Sequence, residues 1–209
     1  ANLTYTYTPL TGTLDDFTVQ VDQNQPFQPA VQGGATVTLT NHGQIQSLPA
    51  RGGRPLAVWR TGDTLNVDWS YDLPDQRLVI RWTFCILGKA LAITARCDDP
   101  IVSRFTLGEL GSVLLRRQLA VPYLAGYLTY LPAQHLFVNR YLDWTVSHAS
   151  LCPQATATYS PKTDGTRNPL TETGFLTVSA DLGEVLPNIP HSPSPYLQLL
   201  GPRIMLDIW

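Results

Sequence analysis

The chain has 209 residues, of which 44% are hydrophobic and only 14% charged; the formal net charge is -2 and the pI about 6.1. That charged fraction is well below the usual quarter or so, and the 14 basic residues are scattered, so the basic stripe that nucleic acid requires is missing. No apolar run approaches the ~18 residues of a membrane helix, which excludes a membrane span of that kind.

A chain of this length can bury roughly 70% of its unfolded surface, and β-sandwiches of this size are often single domains. Helix signals are nearly absent, because 17 prolines and 15 glycines are spread throughout and no stretch keeps a 3.6-residue period. Strand signals are dense. "LTYTYT" (3–8), "FTVQVD" (17–22), "ATVTLTN" (35–41), "PLAVW" (55–59) and "TLNVDWSYD" (64–72) follow one another at spacings typical of all-β folds. Residues 75–99 predict a long hairpin. Leu78, Ile80, Trp82, Phe84 and Ile86 share one face, and Val79, Arg81, Thr83, Cys85 and Leu87 the other. Gly88-Lys89 forms the two-residue turn, placing Leu87 opposite Ala90, Cys85 opposite Ala92 and Ile80 opposite Cys97. Further strands are expected over 101–108, 112–124, 126–131, 135–147, 155–160 and 173–181. Residues 160–172 read as a polar loop turning at Asp164-Gly165. "LPNIPHSPSPY" (186–196), with four prolines, must be extended or kinked. The expected organisation is one β-sandwich domain over 1–185, then a proline-rich connector and apolar C-terminal strand over 186–209.

Three cysteines, Cys85, Cys97 and Cys152, form neither a disulfide framework nor a metal-ligand spacing; one bridge could exist, but a disulfide within the hairpin is not expected. His42, His135, His148 and His191 share no local element at metal-ligand spacing, so no metal or cofactor is expected. No nucleophile elbow, P-loop or dinucleotide fingerprint is present.

Five tryptophans and nine tyrosines in a chain with little charge suit stacking on sugar faces. Trp69 and Trp82 lie on alternating strands and are expected in the core. Trp144 differs, because Asn139, Arg140, Asp143 and His148 surround it in sequence with amide, guanidinium, carboxylate and imidazole groups. Asp164, Arg167 and Asn168 in the polar loop, with Glu172 after them, extend that mixture. Arg167 could clamp a carboxylate or pair with Asp143 or Glu172. The alternative for both segments is a strand corner and an ordinary turn whose polar groups satisfy the backbone.

"AVPYLAGYLTY", "YLDWTVSHAS", "YSPKTDGTRNPLTETGFLTVS", "EVLPNIPHSPSPY" and "RIMLDIW" together resemble the N-terminal galactose-mutarotase-like β-supersandwich domain of bacterial glycoside hydrolases. The resemblance covers roughly residues 60–209. It implies a sandwich that packs on a (β/α)8 barrel carrying the catalytic carboxylates, absent from this chain, and that can lend a loop to the sugar pocket. A secreted or periplasmic location goes with it. The expectation is thus an all-β, two-sheet, mostly antiparallel supersandwich with a glycan or oligosaccharide as ligand and no cofactor. The candidate ligand-binding residues are Asn139, Arg140, Asp143, Trp144, His148, Asp164, Arg167 and Asn168. Two other readings stand beside it. One is an assembly module in which the C-terminal strand adds to another chain's sheet. The other is a mutarotase-like aldose epimerase, suggested by "HLFVN" (135–139), which loosely resembles the histidine motif of that family but lacks its tyrosine-phenylalanine middle and an assignable glutamate base.

Overall fold

The computed structural model describes residues 2–41, 44–74, 76–119, 128–153 and 155–185. In chain order the elements are β1 (Leu3–Tyr7), a 3-10 turn (Leu14–Asp16), β2 (Phe17–Val21), β3 (Gln28–Val31), β4 (Gly34–Asn41), β5 (Gln44–Pro49), β6 (Arg54–Thr61), β7 (Thr64–Asp72), β8 (Arg77–Leu87) and β9 (Ala90–Cys97). They continue with β10 (Val102–Thr106), β11 (Glu109–Gly111), β12 (Arg117–Gln118), β13 (Thr129–Leu131), β14 (Leu136–Leu142), β15 (Thr156–Thr158), β16 (Leu170–Ser179) and a single helical turn, α1 (Leu182–Val185). Every strand pairing among the described residues is antiparallel.

An eight-stranded sheet runs β12-β13-β14-β16-β9-β8-β7-β6, and a four-stranded sheet runs β15-β10-β4-β5. The pairs β1-β2 and β11-β3 form two further two-stranded sheets, and their Phe17, Val19, Ala30 and Leu110 join the apolar core. One continuous apolar core joins the layers: Val37, Phe105 and Ala157 of the smaller sheet share it with Ile80, Trp82, Ile93, Val138 and Leu176 of the larger. The chain is therefore an all-β sandwich. The alternation in the 75–99 hairpin dictates its half of that core, since Leu78, Ile80, Trp82 and Phe84 are all buried. The register follows the expected pairing, with Leu87 opposite Ala90 and Cys85 opposite Ala92. Gly88 supplies the left-handed backbone of the turn at φ 61°. Trp69 and Trp82 are core residues, each 1% exposed.

Six segments differ from expectation. Between 112 and 119 only Arg117–Gln118 pair as a strand. β14 stops at Leu142, because Asp143 accepts hydrogen bonds from the Thr145 amide (3.0 Å) and hydroxyl and turns the chain. β16 starts at Leu170, inside the stretch read as loop, since Leu170, Glu172, Gly174, Leu176 and Val178 alternate inward. β3, β5 and β11 carry too few β-branched residues for the sequence pattern to reveal them. All three cysteines are free thiols. His42 and the segment 186–209 lie outside the described residues, as does His191. Among the described residues no helix is long and apolar enough to cross a membrane.

Candidate functional site

The strand register carries side chains across the outer face of the eight-stranded sheet in rows. One row runs Trp59, Asn66, Thr83, Thr94 and Thr173. Asp143, whose amide donates to the Thr173 carbonyl at 2.7 Å, extends it. Hydrogen bonds link its members: the Thr83 hydroxyl donates to Asn66 at 2.9 Å, and the Thr94 and Thr173 hydroxyls lie 3.1 Å apart. The next row runs Ala57, Asp68, Arg81, Arg96 and Thr171, and the His148 amide reaches the Thr171 carbonyl at 3.4 Å. Five strand spacings of ~4.8 Å make each row roughly 24 Å long.

Within the second row Arg81 is held on two sides. Its guanidinium donates to both Asp68 oxygens, at 2.7 and 2.9 Å, and lies 5.4 Å from the centre of the Trp59 ring. The Asp68 hydrogen bond and charge push the Arg81 pKa up. This fork-to-carboxylate geometry fixes the head group more firmly than a single contact would. Beside it a groove of about 670 Å³ is lined by Val79, Thr83, Thr94, Arg96, Asp98 and Asp99, among others. A third row, Thr64, Cys85, Ala92, Phe175 and Tyr141, borders the polar ones. Phe175 and Tyr141 stack there with centroids 5.2 Å apart. The face thus offers hydroxyls, charged donors and acceptors, and aromatic rings on one rigid surface.

The residues expected from sequence fall into three groups. Asn139 and Arg140 are buried and bonded within the fold: Asn139 donates to the Val185 carbonyl at 2.9 Å, and Arg140 donates to the Gly108 carbonyl. Asp143 and His148 meet the ends of the polar rows through their backbone amides, and the exposed Trp144 follows Asp143 in the turn. Asn168 joins them by donating to the His148 carbonyl at 2.8 Å. Arg167 donates to the Tyr159 carbonyl at 3.0 Å and makes no ion pair with Asp143 or Glu172. Asp164 sits at its own turn, where the Thr166 hydroxyl and amide hold its carboxyl below the usual range.

Glu172, read from the sequence as part of the polar loop, is a fully buried carboxyl. The Ser147 hydroxyl donates to its Oε1 at 2.7 Å, and the Tyr159 hydroxyl donates to the same oxygen. Its Oε2 has no partner among the described residues. Burial pushes its pKa up, against the lowering effect of the Tyr159 and Ser147 hydrogen bonds. Burial also raises the nearby Cys152 thiol to about 11, which makes it a poor nucleophile at neutral pH. Alternation from Leu170 onward would have turned Glu172 inward. Carrying the hairpin register forward would have placed Arg96 beside Arg81.

A raised carboxyl pKa stabilises the folded chain below the unfolded value of about 4.3, and that contribution is lost as pH rises through the folded value. Glu172→Gln does not titrate. Its stability relative to the native chain is therefore expected to rise as pH climbs from about 4.5. Urea midpoints measured across that range check this, and a pH-independent difference between the two proteins would refute it.

Among the described residues no group of three or more histidine, cysteine and acidic side chains could hold a metal ion. No family model matches the chain, and no curated protein or solved structure matches it significantly.

Proposed function

We propose that this chain is a carbohydrate-associated β-sandwich domain that binds or frames a glycan on the outer face of its eight-stranded sheet. The observation that carries this reading is the pair of in-register polar rows, with Trp59 at one end and Asp143, Trp144 and His148 at the other. A sugar ring presents hydroxyls at its rim and C–H bonds on its faces. Such a ligand needs fixed donors and acceptors interleaved with exposed rings, held on strands rather than on mobile loops. The proposal places the catalytic (β/α)8 barrel of a glycoside hydrolase beside this domain, on the strength of the sequence resemblance over residues 60–209.

The assembly reading, in which the C-terminal strand adds to another chain's sheet, has less support on the acceptor side, and the strand itself lies outside the described residues. β6 is an edge strand with all eight residues exposed. However, Pro55, the register shift between Pro55 and Ala57, and the charges of Arg54 and Arg60 are features that blunt an edge against further pairing. The epimerase reading has less still, since the exposed His135 ring meets the Tyr130 hydroxyl at 3.2 Å and no carboxylate.

A glycan array followed by titration calorimetry tests the proposal. Binding of at least one oligosaccharide is expected, and Trp59→Ala should weaken it by about tenfold, the loss of one stacked ring and its cation contact. Flat responses to every glycan would overturn the binding role.

A further inference from the structure

The groove beside Arg81 divides its charged groups into two kinds. Arg81 and Asp68 satisfy each other and the Trp59 ring, so they form a neutral, committed unit. The side chains of Arg96, Asp98 and Asp99 make no hydrogen bond or ion pair among the described residues, although all three line the same groove. Arg96 lies directly across the ladder from Arg81, a like-charge placement that costs stability on a sheet face. Asp98 follows two residues later, and its charge reaches Arg81.

We infer that this groove takes an uncharged polyhydroxylated ring, a neutral hexose or pentose unit, with Arg96 as donor and Asp98 and Asp99 as acceptors; this rests on the glycan reading above. The guanidinium offers only donors and the carboxylates only acceptors. A sugar hydroxyl is both, so neighbouring hydroxyls can bridge from Arg96 to an aspartate and satisfy the two together. A uronic acid would gain Arg96 but bring its carboxylate against Asp98 and Asp99. An amino sugar would gain the aspartates but set its ammonium beside Arg96 and Arg81. Val79, 39% exposed and lining the groove, provides the apolar contact that a ring face takes.

Calorimetric titration with matched neutral, uronic and amino oligosaccharides distinguishes the classes. The neutral ligand should bind best, with affinity changing less than about twofold between about 0.1 M and about 1 M salt, where the Debye length falls from ~10 to ~3 Å. Arg96→Met, which keeps the aliphatic stem, should weaken that binding by about tenfold or more. Preference for the uronic or amino ligand, with affinity that collapses in high salt, would overturn this inference and leave the carbohydrate reading standing. Unchanged neutral-sugar affinity in Arg96→Met would overturn the assigned donor. Failure of all three ligands would overturn the carbohydrate reading and this inference with it.

Discussion

Replacing Gly108 by alanine is expected to cost about 2–5 kcal/mol of folding stability, the sum of a left-handed backbone penalty of ~1–2 and an overpacking term of ~1–3. Gly108 has φ 71°, and a Cβ placed on it would lie 2.5 Å from the Val31 carbonyl, 2.6 Å from the Gly33 amide and 2.7 Å from the Ala30 carbonyl. All three are backbone atoms, so no side chain can swing away to make room. The Gly108 carbonyl also accepts the buried Arg140 guanidinium, which ties this corner to β14. Displacing the corner would take the Gly108 carbonyl away from that buried guanidinium. Gly165→Ala is the matched control, because its φ is 82° but nothing lies within 4 Å of the added carbon. It should cost only the backbone term. Urea unfolding of both variants reads the difference, and equal losses would contradict the packing described for Gly108.

Trp82→Ala should cost about 3–5 kcal/mol, the range for removing a buried aromatic. Trp82 is 1% exposed, packs on Phe84 and Phe105 with centroids 6.2 and 5.8 Å away, and donates from Nε1 to the Tyr71 hydroxyl at 3.2 Å. Tyr71 in turn donates to the Gly12 carbonyl, so the truncation also loosens the loop that the Asp16 carboxylate organises through the Thr11 and Gly12 amides. Trp59 makes the opposite comparison. Its substitution should cost no more than about 1 kcal/mol, the size of one exposed cation–ring contact, while removing a ring from the proposed ligand face. A large stability loss in Trp59→Ala would mean that it serves packing rather than ligand.

The hairpin over 75–99 was readable because both of its faces alternate without interruption and its turn carries glycine. The all-β class followed from the same alternation elsewhere. The ligand face was harder to read. Arg81 and Arg96 are fifteen positions apart in sequence and meet only through the ladder, so their proximity depends on register, not on local spacing. Asn139 and Arg140 looked like ligands because polar residues near a tryptophan suggest a site. Their burial depends on α1 covering one side of β14 and the Gly108 corner covering the other, and both contacts are long-range in sequence. Glu172 reads from the sequence as part of the polar loop, because it is a charged residue in a polar segment. Only the strand start at Leu170 turns it into the core.

Amide and side-chain chemical-shift mapping during titration with a bound oligosaccharide tests whether the ligand lies on the outer face of the eight-stranded sheet. The prediction is a contiguous set of perturbations at Trp59, Asn66, Thr83, Thr94, Arg96 and Thr173, crossing the outer face from β6 to β16. Perturbations confined to the 160–168 loop, or to the opposite four-stranded sheet, would contradict it.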